Sequence, residues 1–165
     1  MLRWLAENGY ELGNHTHDHL PFGDMSATEV QSELVRGKRV ITGAVPGAKV
    51  LTLSLPLGVM PNPASLARRG EWDGERYEHA GVFLVGAEPA PSPFSTSFRP
   101  GAIPRIRTSP PGARDPRFGS TFWLDELRKE PERRYVSDGN ADVISFPAAR
   151  VADLKPRLRK YANPY

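Results

Sequence analysis

The sequence predicts an α/β fold in which helices alternate with parallel strands, and three observations carry that prediction. A helix-like run at residues 2–7 passes through Asn8 and Gly9 directly into an alternating stretch at 10–13. A capping signature at Ser26 and Glu29 opens a second helical stripe, and the β-prone run 49–55 follows it. Two further apolar runs, 80–85 and 142–146, lie downstream with turn and helix signals between them. Alternation of this kind favours a parallel sheet or barrel over an antiparallel sandwich.

Taken in order, residues 2–7 begin abruptly, with no capping residue before them, as the last turns of an element begun upstream would. Gly9 supplies the left-handed position that stops this helix. Ser26 and Glu29 form a capping box in which hydroxyl and carboxylate satisfy each other's backbone donors. Behind it Val30, Leu34 and Ile41 share one helical face, with Gly37 weakening its middle. Residues 49–55 read as a buried strand closed by Pro56, then a loop at 56–63 and a short helix over 64–69 opened by Pro63. A Pro-, Ser- and Gly-rich connection runs from 86 to 112, a length that is commonly functional. Ser120 is expected to cap a helix carrying Phe122, Trp123, Leu124 and Leu127. A turn at Ser137, Asp138, Gly139 and Asn140 precedes the last strand. The tail mixes Leu154, Leu158 and Tyr161 with basic residues around Pro156.

At 165 residues the chain suits one domain, residues 1–165, with a core of its own. An apolar fraction of 39% excludes wholesale disorder, while 17 Pro and 15 Gly imply long loops. The net charge is only +3, and basic residues are interspersed with acids, so a nucleic-acid partner is not expected. With no cysteine there is neither a disulfide nor a thiolate metal site, and the compartment stays open. No apolar run is long enough for a membrane span, and residues 1–10 lack a signal-peptide layout.

Three of the four histidines fall within Asn14-His15-Thr16-His17-Asp18-His19, directly after a strand, where α/β folds place their chemistry. Imidazole is the commonest neutral ligand for zinc, and two nitrogens sharing an ion must each approach to about 2.1 Å. On an extended chain His15 and His19 would stand about 13 Å apart, so that pair requires the chain to curl after the strand. His15 and His17 would instead project to one side of a continuing strand. These are two distinct metal geometries, and the residues alone leave both open. Thr16 and Asp18 also suit turns and caps.

The run Gly9-Tyr10-Glu11-Leu12-Gly13-Asn14-His15-Thr16-His17-Asp18-His19 resembles the second motif of the polysaccharide deacetylases, the NodB-type homology domain of carbohydrate esterase family four. There a G-x-E-[IL]-[GA]-[NS] strand leads into H-[ST]-x-x-H, whose first and last histidines bind the metal. The resemblance implies an incomplete (β/α) barrel lacking its first strand or strands. It implies His15 and His19 as ligands of a divalent ion, most simply zinc, with Thr16 orienting the loop and His17 and Asp18 as the variable pair. It further implies hydrolysis of N- or O-acetyl groups on a polysaccharide or other acetylated glycan. In that chemistry the metal activates water and polarises the acetyl carbonyl, an aspartate takes a proton, and an acid protonates the leaving group.

The resemblance has gaps. The family's third ligand and base are paired aspartates in a T-F-D-D strand before this motif, and none stands between Met1 and Asn14. A weak catalyst, N-terminally truncated or divergent, is therefore expected. The third motif, R-x-P-Y-G, falls on Ser54-Leu55-Pro56-Leu57-Gly58, where Pro56 and Gly58 fit but Ser54 and Leu57 replace Arg and Tyr. A backbone donor there would help hold an oxyanion, as in the family. His79 is the remaining candidate for the late acid and reads mainly as structural. Asp138 and Asp142 are candidate carboxylates that read more simply as turn residues. Trp72, Tyr77, Phe94, Phe98, Phe122 and Trp123 suit either a sugar groove or the core.

Two rival readings follow. One is a different metallohydrolase built on a His15/His17 pair, and the other is a glycan-binding protein without catalysis. Family members often act outside the cytoplasm, which would need an export signal upstream.

Overall fold

A computed structural model describes residues 1–86, 88–108, 117, 119–131 and 139–165. These separate into two compact units, one formed by Met1–Gly86 with Arg99–Arg105 and the other by Ala87–Phe98 with Ile106–Tyr165. Ser137 and Asp138 of the expected turn, and the stretch 109–112 of the long connection, lie outside the described residues.

In the first unit, helix α1 (Leu2–Glu7) stops where Gly9 takes φ +81°. The Gly9 N–H donates to the Ala6 carbonyl and the Tyr10 N–H to that of Leu5, the paired bonds of a Schellman stop. The strand expected at 10–13 is reduced to a single parallel bridge between Asn14 and Leu53. Its ladder is displaced to the end of the segment, where the Asn14 N–H donates to Thr52 (2.7 Å) and the Ser54 N–H to Asn14 (2.9 Å).

Helix α2 (Ala27–Ala44) opens on the expected capping box, with the Glu29 N–H on Ser26 Oγ and the Ser26 N–H on Glu29 Oε2. Val30, Leu34 and Ile41 are buried along it. Strands β1 (Thr52–Ser54), β2 (Arg69–Trp72), β3 (Glu75–Glu78) and β4 (Gly81–Phe83) follow. β1 and β4 are parallel, Leu53 facing Val82, and a parallel bridge joins Phe83 to Ile103. Four parallel segments thus lie side by side in the order Asn14, β1, β4, Ile103. Among the described residues no sheet closes on itself. The core packs Phe22, Val30, Leu34, Val35, Leu53, Leu55, Ala67, Tyr77 and Val82 together.

Where a helix is expected over 64–69, a 3₁₀ turn at Ala64–Ala67 hands over to an antiparallel hairpin of β2 and β3. Its turn is Asp73-Gly74, with φ +50° and +72°, the positive pair that a two-residue type I′ hairpin requires. Arg39 of α2 pins this ribbon through Asp73 (2.9 Å) and Glu75 (3.0 Å), with its guanidinium 5.5 Å over the Trp72 ring. The Tyr77 hydroxyl donates to the Leu66 carbonyl at 2.7 Å. Both aromatics therefore serve packing in this unit.

The second unit holds helix α3 (Ser120–Lys129) and a parallel pair, β5 (Ile144–Phe146) with β6 (Ala162–Pro164). Gly119, extended at φ −99°, is the residue before α3, and Ser120 is its first helical residue rather than its cap, because the Ser120 N–H bonds to Arg107. Phe122 and Trp123 meet edge to face at 5.3 Å. Asp142 is exposed and its N–H donates to the Asn140 side chain, which makes it a turn residue.

Burial pushes the Tyr77 phenol up to about 12. An acid whose folded pKa exceeds its unfolded value, about 10 for tyrosine, stabilises the fold fully below that lower value. The contribution disappears as pH rises towards 12. In a spectrophotometric titration one tyrosine should ionise only near that upper value, together with unfolding. Tyr77→Phe should flatten the fall in stability measured across this alkaline range.

Candidate metal centre

The loop that leaves the sheet at Asn14 is fixed before any ligand is considered. Asn14 is buried, and its Nδ2 donates to the Leu34 carbonyl of α2 (2.9 Å) while its Oδ1 accepts the Thr16 N–H (3.0 Å). Thr16 and His19 both adopt left-handed backbone, at φ +67° and +58°. Each such residue costs about 1–2 kcal/mol without compensation. Part of the compensation is local, since Thr16 Oγ1 accepts the His19 N–H (3.1 Å). Phe22, wholly buried, anchors the far side of the loop in the core.

The two left-handed turns reverse the chain and bring the His15 and His19 rings to a centroid separation of 4.7 Å, nearly perpendicular at 81°. His15 Nδ1 lies 2.7 Å from the Ser54 carbonyl. A carbonyl only accepts, so Nδ1 carries the proton and Nε2 is left with the lone pair, the tautomer a metal ligand needs. Both rings are exposed. This donor set suits a borderline ion such as zinc.

His17 is committed elsewhere. Its Nδ1 donates to Asp18 Oδ1 (2.7 Å), and Arg36 reaches Asp18 Oδ2 (3.1 Å). The hydrogen bond from His17, helped by the charges of His17 and Arg36, holds the Asp18 carboxyl below its ordinary value. Beneath them Glu33, only 4% exposed, accepts the N–H groups of His17 (3.1 Å) and Asp18 (2.7 Å) on Oε2. His17, Asp18 and Glu33 each offer a ligand atom within 4.8 Å of the others, the one such three-residue group among the described residues. Those atoms already hold one another, Arg36 and two backbone donors, so the group acts as a clamp on the loop.

The model of the polysaccharide deacetylase family matches residues 1–69. Over that stretch the chain is similar to the polysaccharide deacetylases. No curated protein and no solved structure matches the chain. At the level of the family the match supports a deacetylase-like hydrolase and implies carbohydrate as the substrate class. No helix among the described residues is long and apolar enough to cross a membrane.

The deacetylase match includes the third-motif region, which forms the wall beside the histidines. Ser54, whose carbonyl accepts from His15 Nδ1, ends β1, and Pro56, buried, opens a 3₁₀ turn at Pro56–Gly58. Leu57 within it takes φ +52° with its side chain exposed, and Gly58 takes φ +73°. A Cβ on Gly58 would come within 2.8 Å of the Val85 nitrogen, so the glycine is required twice over. His79 lies away from this loop in the chain's pairing pattern. It is 1% exposed, stacks on Tyr77 at 5.4 Å and donates from Nδ1 to Ala67 (2.8 Å), while burial pushes its pKa down. It is a neutral core residue. Asp138 lies outside the described residues.

Three residues that shape this deacetylase loop escape a reading of the sequence. Glu33 sits between Val30 and Leu34 on the buried stripe, and a carboxylate at such a position is the signal for it. Gly37 looks like a flaw in α2, but a Cβ there would meet Asn14 Oδ1 at 2.5 Å and the Thr16 carbonyl at 2.9 Å. Asn14 is visible only as a polar neighbour of the histidines.

Gly37→Ala should therefore destabilise the protein by about 1–3 kcal/mol despite the higher helix propensity of alanine, as overpacking does. Urea unfolding of the two proteins measures this, and a gain in stability would contradict the close approach. Asn14→Ala, which strands a buried carbonyl and an N–H, should cost a similar amount, about 1–3 kcal/mol.

Proposed function

We propose that this chain is a metal-dependent hydrolase that removes N- or O-acetyl groups from a carbohydrate polymer. His15 and His19 are its protein ligands to a divalent ion, zinc by preference. The single observation that carries the reading is the reversal placing those two rings 4.7 Å apart with the His15 proton drawn to the Ser54 carbonyl. A bound ion would supply water activation and carbonyl polarisation. The chain's own residues do the rest: Thr16 and Asn14 hold the turn, and Pro56 and Gly58 shape the backbone wall where an oxyanion donor belongs.

The fold proposed is an incomplete (β/α) barrel of the deacetylase type. Its support is the row of four parallel segments with α2 crossing between the first two. We read residues 1–165 as one catalytic domain, since the chain passes between the two units three times rather than once. Two imidazoles bind zinc loosely compared with the three protein ligands of an ordinary catalytic site. The sequence contains no adjacent pair of aspartates, so these 165 residues by themselves should hydrolyse weakly.

The His15/His17 alternative has less support because the close ring pair is that of His15 and His19. Zinc affinity, read by competition with a chromogenic chelator, separates the two pairings. His15→Ala and His19→Ala should each weaken binding at least about tenfold, or about 1.4 kcal/mol, while His17→Ala should leave it near the parent value. Loss on His17→Ala with retention on His19→Ala would reject the pairing. Retained glycan affinity under chelator, without acetate release, would identify a binding protein instead.

A further inference from the structure

We propose that Glu33 is the positioning residue of the metal pair, acting through the backbone of two of the three residues that separate the ligands. This rests on the metal reading above. His15 and His19 meet only because the chain turns back on itself. The turn presents two consecutive N–H groups, those of His17 and Asp18, on its inner side. Consecutive donors aimed at one point form an anion-binding concavity. Here the anion is internal: Glu33 Oε2 takes both, at 3.1 and 2.7 Å, from a helix position that is 4% exposed.

Several features single out this carboxylate. It is the buried acid of α2, on the face that also carries Val30 and Leu34, so its place is fixed by the core rather than by a flexible stem. Gly37, one turn further on, lets the same helix lie against Asn14 and Thr16, so the carboxylate is set at a fixed height above the loop. Arg36 bridges Glu33 Oε1 (3.4 Å) and Asp18 Oδ2 (3.1 Å), tying the outer edge of the turn to the same helix. Hydrogen bonds from neutral N–H groups to an ionised acceptor are stronger than neutral ones. An amide at position 33 keeps the shape but loses the charge and one acceptor oxygen, whereas a methyl group loses everything.

Glu33→Gln and Glu33→Ala in the full chain provide the test, with zinc affinity, the visible spectrum of the cobalt-loaded protein and amide exchange of residues 17 and 18 in the metal-free protein as readouts. Circular dichroism confirms that each variant is folded; should Glu33→Ala fail to fold, Glu33→Gln carries the comparison. The expected result is faster exchange at both amides, an altered cobalt spectrum and zinc affinity reduced about 10–100-fold, the usual range for groups that orient ligands. A merely structural glutamate would lower the unfolding midpoint and leave affinity and spectrum unchanged. If Glu33→Gln binds zinc as the parent does while His15→Ala does not, the role of Glu33 is refuted and the ligand pair stands. If the parent itself binds no more zinc than His15→Ala, the metal reading is overturned, and the positioning role with it.

Discussion

The candidate site depends on how closely α2 can lie along residues 14–18. Where a Cβ of residue 37 would stand, the Asn14 amide oxygen and the Thr16 carbonyl already fill the space. Because glycine leaves that room, Leu34 can offer its carbonyl to Asn14 and Glu33 can offer its carboxylate to the next two N–H groups. A helix held farther off by one methyl would break these contacts together and leave the local Thr16–His19 bond to offset two left-handed residues.

Asn14 is the joint between sheet and helix. Its backbone belongs to the parallel row, bonded to Thr52 and Ser54, and its side chain belongs to α2. The strand therefore ends at a defined place and the reversal begins at once. Ser54 contributes twice, through its N–H to Asn14 and its carbonyl to His15, so the first candidate ligand is oriented by the strand next door. The second candidate, His19, depends on Thr16 and on the buried Phe22 three residues later. The polar trio His17, Asp18 and Arg36 lies on the solvent side, linked through the Asp18 carboxylate.

Local rules were legible in the sequence, and contacts between distant segments were not. The glycine stop of α1, the capping box and the Val30, Leu34, Ile41 stripe each depend on residues within a turn or two of one another. The deacetylase resemblance, legible in the eleven residues ending at His19, is matched by the family over residues 1–69. The hairpin of β2 and β3 was hidden although Asp73-Gly74 announces it, because its strands alternate charged residues with a glycine, a tryptophan and a tyrosine instead of a plain apolar pattern. Glu33 was hidden for a different reason: a carboxylate on a helix ordinarily faces water, and the backbone donors it accepts from lie at least 15 residues upstream. Ser120 shows the limit of capping signals, since the preceding Gly119 holds the extended backbone that a cap position needs and leaves Ser120 to begin the helix.

The stretch matching the family stops at residue 69, but the hydrophobic interior does not. Tyr77 and Val82 complete it, β4 hydrogen-bonds the free side of β1, and Ile103 then covers β4 in its turn. A protein trimmed to the matching stretch would expose the flank of its ligand-bearing strand pair and lose the aromatic floor beneath α2. Any transplant of this histidine loop must carry the chain as far as Arg105.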